Sequence, residues 1–145
     1  MKILFVCSGN TCRSPMAEAI YNAEAQRKGL EPAESAGTDT YDGLPATDHA
    51  RRAVKDYGGS LENHASRMVT EEMLKNADRV YCMTAYNRAM LLIRFPEYKE
   101  KYRIICENGI PDPYGGDHDT YVMCAAKIAL ALRPIIRESA GEQRL

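Results

Sequence analysis

The chain opens with an apolar run, Lys2-Ile3-Leu4-Phe5-Val6, that stops at Cys7 and gives way within eight residues to a segment of helical periodicity. A continuous apolar run of this length reads as a strand buried on both faces, and from Ser14 to Lys28 the residues Met16, Ala19, Ile20 and Ala23 share one helix face. Strand, short loop, helix is therefore the opening unit. Ser14 is the expected N-cap, Pro15 suits the first helical turn, where its missing N–H is no loss, and Gly29 is placed to close the helix in a left-handed conformation.

The same alternation recurs downstream. A second strand is expected over Pro32 to Ser35, followed by a polar loop from Gly37 to Pro45 and a helix from Thr47 to Tyr57 that ends at Gly58-Gly59. Thr70-Glu71-Glu72 marks a helix start, Asp78 to Met83 a buried strand, Ala85 to Arg94 a helix, and Tyr102 to Cys106 a fourth strand. The last periodic segment, Asp119 to about Arg133, puts Tyr121, Cys124, Ala125, Ile128 and Leu132 on one side, with Pro134 expected to kink or end it. Alternating strands and helices predict an α/β fold, a doubly wound four-stranded parallel sheet with helices on both faces, in one domain spanning 1–145. Ligands of such folds bind beyond the carboxyl ends of the strands, where the loop after strand one lies.

Composition removes several classes of function. A formal net charge of -1 gives no basic excess for nucleic acid, and no apolar stretch is long enough to cross a bilayer or to serve as a secretory signal, so membrane insertion is not expected and the location is read as cytoplasmic. Five cysteines, at 7, 12, 82, 106 and 124, form neither zinc-type pairs nor an even disulfide set. Reduced thiols follow, one of them a candidate nucleophile.

The informative loop is Cys7-Ser8-Gly9-Asn10-Thr11-Cys12-Arg13-Ser14, between a strand and a helix N-terminus, where free backbone N–H groups collect. Its amides can curl around an oxyanion, with Gly9 and Asn10 tolerating left-handed backbone angles, while the planar fork of Arg13 clamps two phosphate oxygens. Cys7 at the base of this cradle lies where the helix dipole and Arg13 favour the thiolate form, and Ser14 can donate its hydroxyl to the same sulfur. A C-x5-R pattern occurs by chance; the preceding apolar strand, the internal Gly-Asn and the following Ser-Pro make it a nucleophile loop.

These residues resemble the low-molecular-weight protein tyrosine phosphatase family, which carries C-x-G-N-x-C-R-S-P near its N-terminus, here Cys7 to Pro15, and a D-P acid loop near its C-terminus, here Asp112-Pro113. The resemblance runs from the first strand to the last helix. It implies hydrolysis of protein phosphotyrosine through a phosphocysteine on Cys7, with Arg13 as phosphate clamp and Asp112, stiffened by Pro111 and Pro113, as general acid and then base. It implies no metal or organic cofactor, phosphorylated proteins as partners and inorganic phosphate as product. It also gives Ser35 and His64 the task of bracing Asn10 and places Tyr41 and Tyr114 on the aromatic walls of the cleft; His49 and His118 read as exposed structural residues.

Cys12 is close enough in a curled loop to form a reversible disulfide with Cys7, whereas Cys82, Cys106 and Cys124 read as core. Thr11, where an aliphatic residue is usual, and Gly115 after Tyr114 are similar to the family's protein arginine phosphatases, which makes phosphoarginine the alternative substrate. Thioredoxin-coupled arsenate reductases share the fold and loop but need two further cysteines spaced several residues apart after the third strand, and Cys82 has no such partner before Cys106. A binding module without turnover would need neither Cys7 nor Asp112.

Overall fold

The computed structural model describes residues 1–141. Its four strands, β1 (Ile3–Cys7), β2 (Glu34–Gly37), β3 (Arg79–Cys82) and β4 (Tyr102–Ile104), form one sheet in the order β2-β1-β3-β4. Every pairing is parallel, with Leu4 opposite Glu34 and Val80, and Cys7 opposite Gly37. Between them run α1 (Arg13–Lys28), α2 (Asp48–Ala53) with a 3-10 turn over Val54–Tyr57, α3 (Glu71–Asn76) and α4 (Ala85–Arg94), and α5 (His118–Ser139) follows β4. The expected α/β architecture is present, and β1 lies at its centre because both faces of the strand are apolar.

Alternate residues of β1 feed two cores. Ile3 and Phe5 pack with Ile20 and Tyr21 of α1, Ala50 of α2 and Ile128 and Leu132 of α5. Leu4 and Val6 pack on the other face with Leu74 of α3, Leu91 of α4 and Val80 of β3. Each fully buried aliphatic side chain of this kind contributes about 1.5–3 kcal/mol of transfer free energy. The chain leaves β1 toward β2 on one side and takes up β3 on the other, so the crevice beyond the carboxyl end of β1 is a topological switch point.

Three local expectations need correction. Strand β2 begins at Glu34 rather than Pro32, because the side chain of Asn22 on α1 takes both backbone groups of Ala33, at 2.7 Å and 3.1 Å, before it can join the ladder. Helix α1 begins at Arg13 with Cys12 at its N-cap and no side-chain cap, since the Ser14 hydroxyl is engaged elsewhere. Helix α5 continues through Pro134 to Ser139; burial of Leu132 and Ile135 holds its last turns in place against the missing hydrogen bond, a cost of about 3 kcal/mol. A 3-10 segment over Pro96–Lys101, with Pro96 in its first turn, was not anticipated at all. Among the described residues no helix is long and apolar enough to cross a membrane.

Candidate functional site

Cys7 is the last residue of β1 and Arg13 the first of α1, so the loop between them is stretched across the switch point. Asn10 is the one non-glycine residue with positive φ, 55°, among those described. A side chain held in this left-handed region is strained unless its surroundings fix it, and here they do. Asn10 is fully buried; its Nδ2 donates to Ser14 Oγ at 2.9 Å and to Ser35 Oγ at 3.0 Å, and its Oδ1 accepts from the Arg67 N–H at 3.0 Å. Its carbonyl meets His64 Nε2 at 2.8 Å. Ser35 and His64 thus both reach Asn10, one through the side chain and the other through the backbone.

The sulfur of Cys7 receives two short contacts, the Asn10 N–H at 3.2 Å and the Ser14 hydroxyl oxygen at 2.9 Å. Because Ser14 Oγ already accepts from Asn10, its own proton can go to the sulfur at 2.9 Å, with the Ala36 carbonyl at 3.4 Å as the longer alternative acceptor. Two donors converging on one thiol sulfur suit a negatively charged acceptor. Behind this, Ser35 donates to the Glu18 carboxylate, whose pKa burial holds above the ordinary 4.5 even though the Ser35 hydrogen bond lowers it.

Arg13 is buried, with one guanidinium nitrogen donating to the Ile110 carbonyl at 3.0 Å and another 3.6 Å from Asp112 Oδ2. Its Nε is buried without a partner. An orphaned buried donor on a fork already half committed is what an incoming phosphate oxygen would satisfy. Asp112 sits on the loop between β4 and α5, its Oδ1 accepting from the Tyr114 N–H at 3.0 Å, with more than half of its side chain exposed.

These residues enclose a cleft of about 170 Å³ lined by Cys7, Gly9, Asn10, Thr11, Cys12, Arg13, Asp112 and Tyr114. Tyr41 is not among its walls and is 81% exposed. Ser8 and Ser14 do not line it either: Ser8 Oγ accepts from Asn87 Nδ2 at 3.0 Å, which ties the loop to α4. Cys12 Sγ lies 3.3 Å from the Tyr121 hydroxyl, which burial and then the contact with Cys12 push up to about 12. His49 and His118, expected to be exposed, are instead half-buried and stacked in line with Tyr121, ring centroids 5.8 Å and 5.1 Å apart, because the starts of α2 and α5 meet beside the loop. All five cysteines are free; burial raises Cys82 and Cys124 to about 12, and Cys106 is partly exposed, its thiol donating to the Gly109 carbonyl.

Four supporting residues escaped the sequence reading: Glu18, Gly37, Arg67 and Asn87. Gly37 had a signal in its place beside Ser35: a Cβ there would stand 2.6 Å from the Ser8 carbonyl oxygen. That close approach lets the Thr38 N–H reach the Cys7 carbonyl and the Asp39 N–H reach the Ser8 carbonyl, both at 2.9 Å. Arg67 and Asn87 act across more than fifty residues of chain, a distance over which no local pattern reaches.

Comparison with known proteins places this geometry. The family model for low molecular weight phosphotyrosine protein phosphatase matches residues 2–144. A protein-arginine-phosphatase of Bacillus subtilis is 35% identical over 99% of this chain and 100% of its own. The low molecular weight protein-tyrosine-phosphatase Etp of Escherichia coli K12 is 34% identical over 82% of this chain and 81% of its own. Among solved structures, a low molecular weight protein tyrosine phosphatase from T. tengcongensis superposes with a TM-score of 0.91 at 36% identity, covering 95% of this chain and 99% of that one. A mutant of the arginine phosphatase YwlE with a phosphorylated active-site serine gives 0.90 at 34% identity, over 95% of each chain.

Proposed function

Because the chain belongs to the low molecular weight phosphotyrosine protein phosphatase family, a family of cysteine-dependent phosphatases, we propose that it hydrolyses phosphorylated proteins through a phosphocysteine on Cys7. The observation that carries the reading is the sulfur of Cys7 at the wall of an anion-sized cleft, with the Asn10 N–H and Ser14 hydroxyl directed at it and Arg13 and Asp112 beside it. The thiolate attacks phosphorus; the S–P bond forms as the bond to the protein side chain breaks. Arg13 and the loop amides hold the phosphoryl oxygens as their charge redistributes, and Asp112 protonates the leaving atom. The Asp112 carboxylate then takes a proton from water, which attacks phosphorus and releases inorganic phosphate while the sulfur departs toward the Ser14 hydroxyl.

Two side chains compete as carriers of the phosphate. Phosphotyrosine, the first expectation, is supported by Tyr114 at the cleft and by relatives named as tyrosine phosphatases. Phosphoarginine is favoured by a specific observation: Thr11 lines the cleft, where its hydroxyl can accept from a guanidinium, whereas Tyr41 lies outside it. The B. subtilis relative named a protein-arginine-phosphatase supports the same choice. Five free thiols fit a reducing compartment, and we place the reaction in the cytosol. The test is kcat/KM on matched phosphotyrosine and phosphoarginine peptides with reductant present, with Cys7→Ser as control. Preference for phosphoarginine that Thr11→Ile shifts toward phosphotyrosine supports the second reading; no turnover of either peptide refutes both.

A further inference from the structure

The cleft of about 170 Å³ is matched to a phosphoryl group and the start of a side chain, yet a groove of about 420 Å³ adjoins it. The two share Asp112. The groove's other walls include Pro111 and Pro113 of the acid loop and Met123, Cys124 and Lys127 of α5. Pro113 and Cys124 are buried, and burial raises the Cys124 thiol to about 12, so that part of the wall is uncharged at neutral pH. Met123 is 72% exposed, so its side chain is available at the mouth of the groove.

Resting on the reading above, we propose that this groove receives an apolar side chain of the protein substrate, next to the phosphorylated residue in sequence. Catalysis itself forces the juxtaposition. When the leaving atom is within reach of Asp112, the peptide on either side of it must run past the walls that Asp112 shares. An extended chain advances about 3.3 Å per residue, so a neighbouring side chain lies within reach of a groove that begins at the acid. Apart from Asp112, Thr120 and Lys127 the lining is apolar, with a flexible methionine that accommodates aliphatic and aromatic side chains of different shapes. The two other large surface cavities lack this link: neither has a residue of the 7–14 loop or of the Asp112 loop in its lining, and Lys2 and Arg67 in the larger one are already paired with Glu34.

The experiment compares wild type, Met123→Glu and Leu130→Glu on the free phosphoamino acid and on phosphopeptides carrying leucine or serine at each position flanking the phosphoresidue. Leu130 is an exposed apolar residue of the same helix outside the groove. The expected result is a preference of about tenfold in kcat/KM for leucine at one flanking position, the scale set by burying such a side chain. Met123→Glu abolishes that preference, Leu130→Glu retains it, and all three proteins turn over the free phosphoamino acid equally. Equal turnover of every peptide by wild type, or an equal loss on the free phosphoamino acid in Met123→Glu, overturns the groove while leaving the phosphatase reading intact. A wild-type protein inactive on all of these substrates overturns that reading and the groove together.

Discussion

The phosphate loop and the acid loop face each other across one cleft and are held in opposite ways. Around Asn10 every polar atom of the side chain is bonded, the residue is fully buried, and its partners come from α1, β2 and the segment at His64–Arg67. Asp112 has one hydrogen bond from its own loop, a 3.6 Å approach to Arg13, flanking prolines and an exposed side chain. The difference fits the roles proposed for the two loops. A cradle of amides is effective only if its dipoles are fixed before charge develops, whereas a proton donor has to meet leaving groups of different shapes.

Mutations separate the two regimes. Cys7→Ser removes the proposed nucleophile and is expected to lower kcat on either phosphopeptide by at least about 10⁴-fold, with the protein still folded by circular dichroism. Asp112→Asn is expected to cost about 10²–10⁴-fold on peptides and much less on an aryl phosphate with a good leaving group, with little change in Tm. A uniform loss on both substrates would mean that Asp112 positions rather than protonates. Asn10→Ala belongs to the other regime: activity and stability fall together, by about 2–3 kcal/mol in denaturant unfolding, because Ser14, Ser35 and the Arg67 N–H lose a buried partner at once. Asn87→Ala, which frees Ser8 from α4, is expected to cost about 1 kcal/mol and a severalfold drop in kcat, with KM for a small substrate unchanged.

The smallest effect concerns Glu18. Its folded pKa lies above 4.5, so the folded state binds the proton more tightly than the unfolded chain. Its contribution is present in full below about pH 4.5 and is lost as pH rises through the folded value. Tm of wild type measured upward from pH 4.5 therefore declines relative to that of Glu18→Gln. Parallel curves would show that Glu18 carries its charge as readily in the folded protein as outside it.

The opening unit was legible because both its periodicities and its punctuation are local: an unbroken apolar strand, Pro15 in the first turn, and Gly29, which closes α1 at φ 68°. Helix α4 matched its expected limits for the same reason, with Thr84 as a cap that accepts from the Asn87 N–H. Elsewhere tertiary contacts outweighed local preference. Ser14 has the composition of an N-cap, yet its hydroxyl lies between Asn10 and Cys7, and Pro134 sits inside a helix that packing sustains. Within the site, the motifs that bring Cys7, Arg13 and Asp112 to one cleft were readable. Glu18, Arg67 and Asn87 were not, since a group that supports another from across the fold leaves no spacing to recognise.

The register that sets Cys7 opposite Gly37 also supplies an intrinsic signal. The Thr38 and Asp39 amides end on the carbonyls of Cys7 and Ser8, so the electron density of the loop's first two peptide groups is imprinted on two protons outside the cleft. In an ¹⁵N-labelled sample those two resonances will move when phosphate or vanadate fills the cradle and move again when sulfur becomes covalently bound to phosphorus. The two residues that follow β2 thus form a wire from which the state of the Cys7 sulfur can be read without attaching a probe to it.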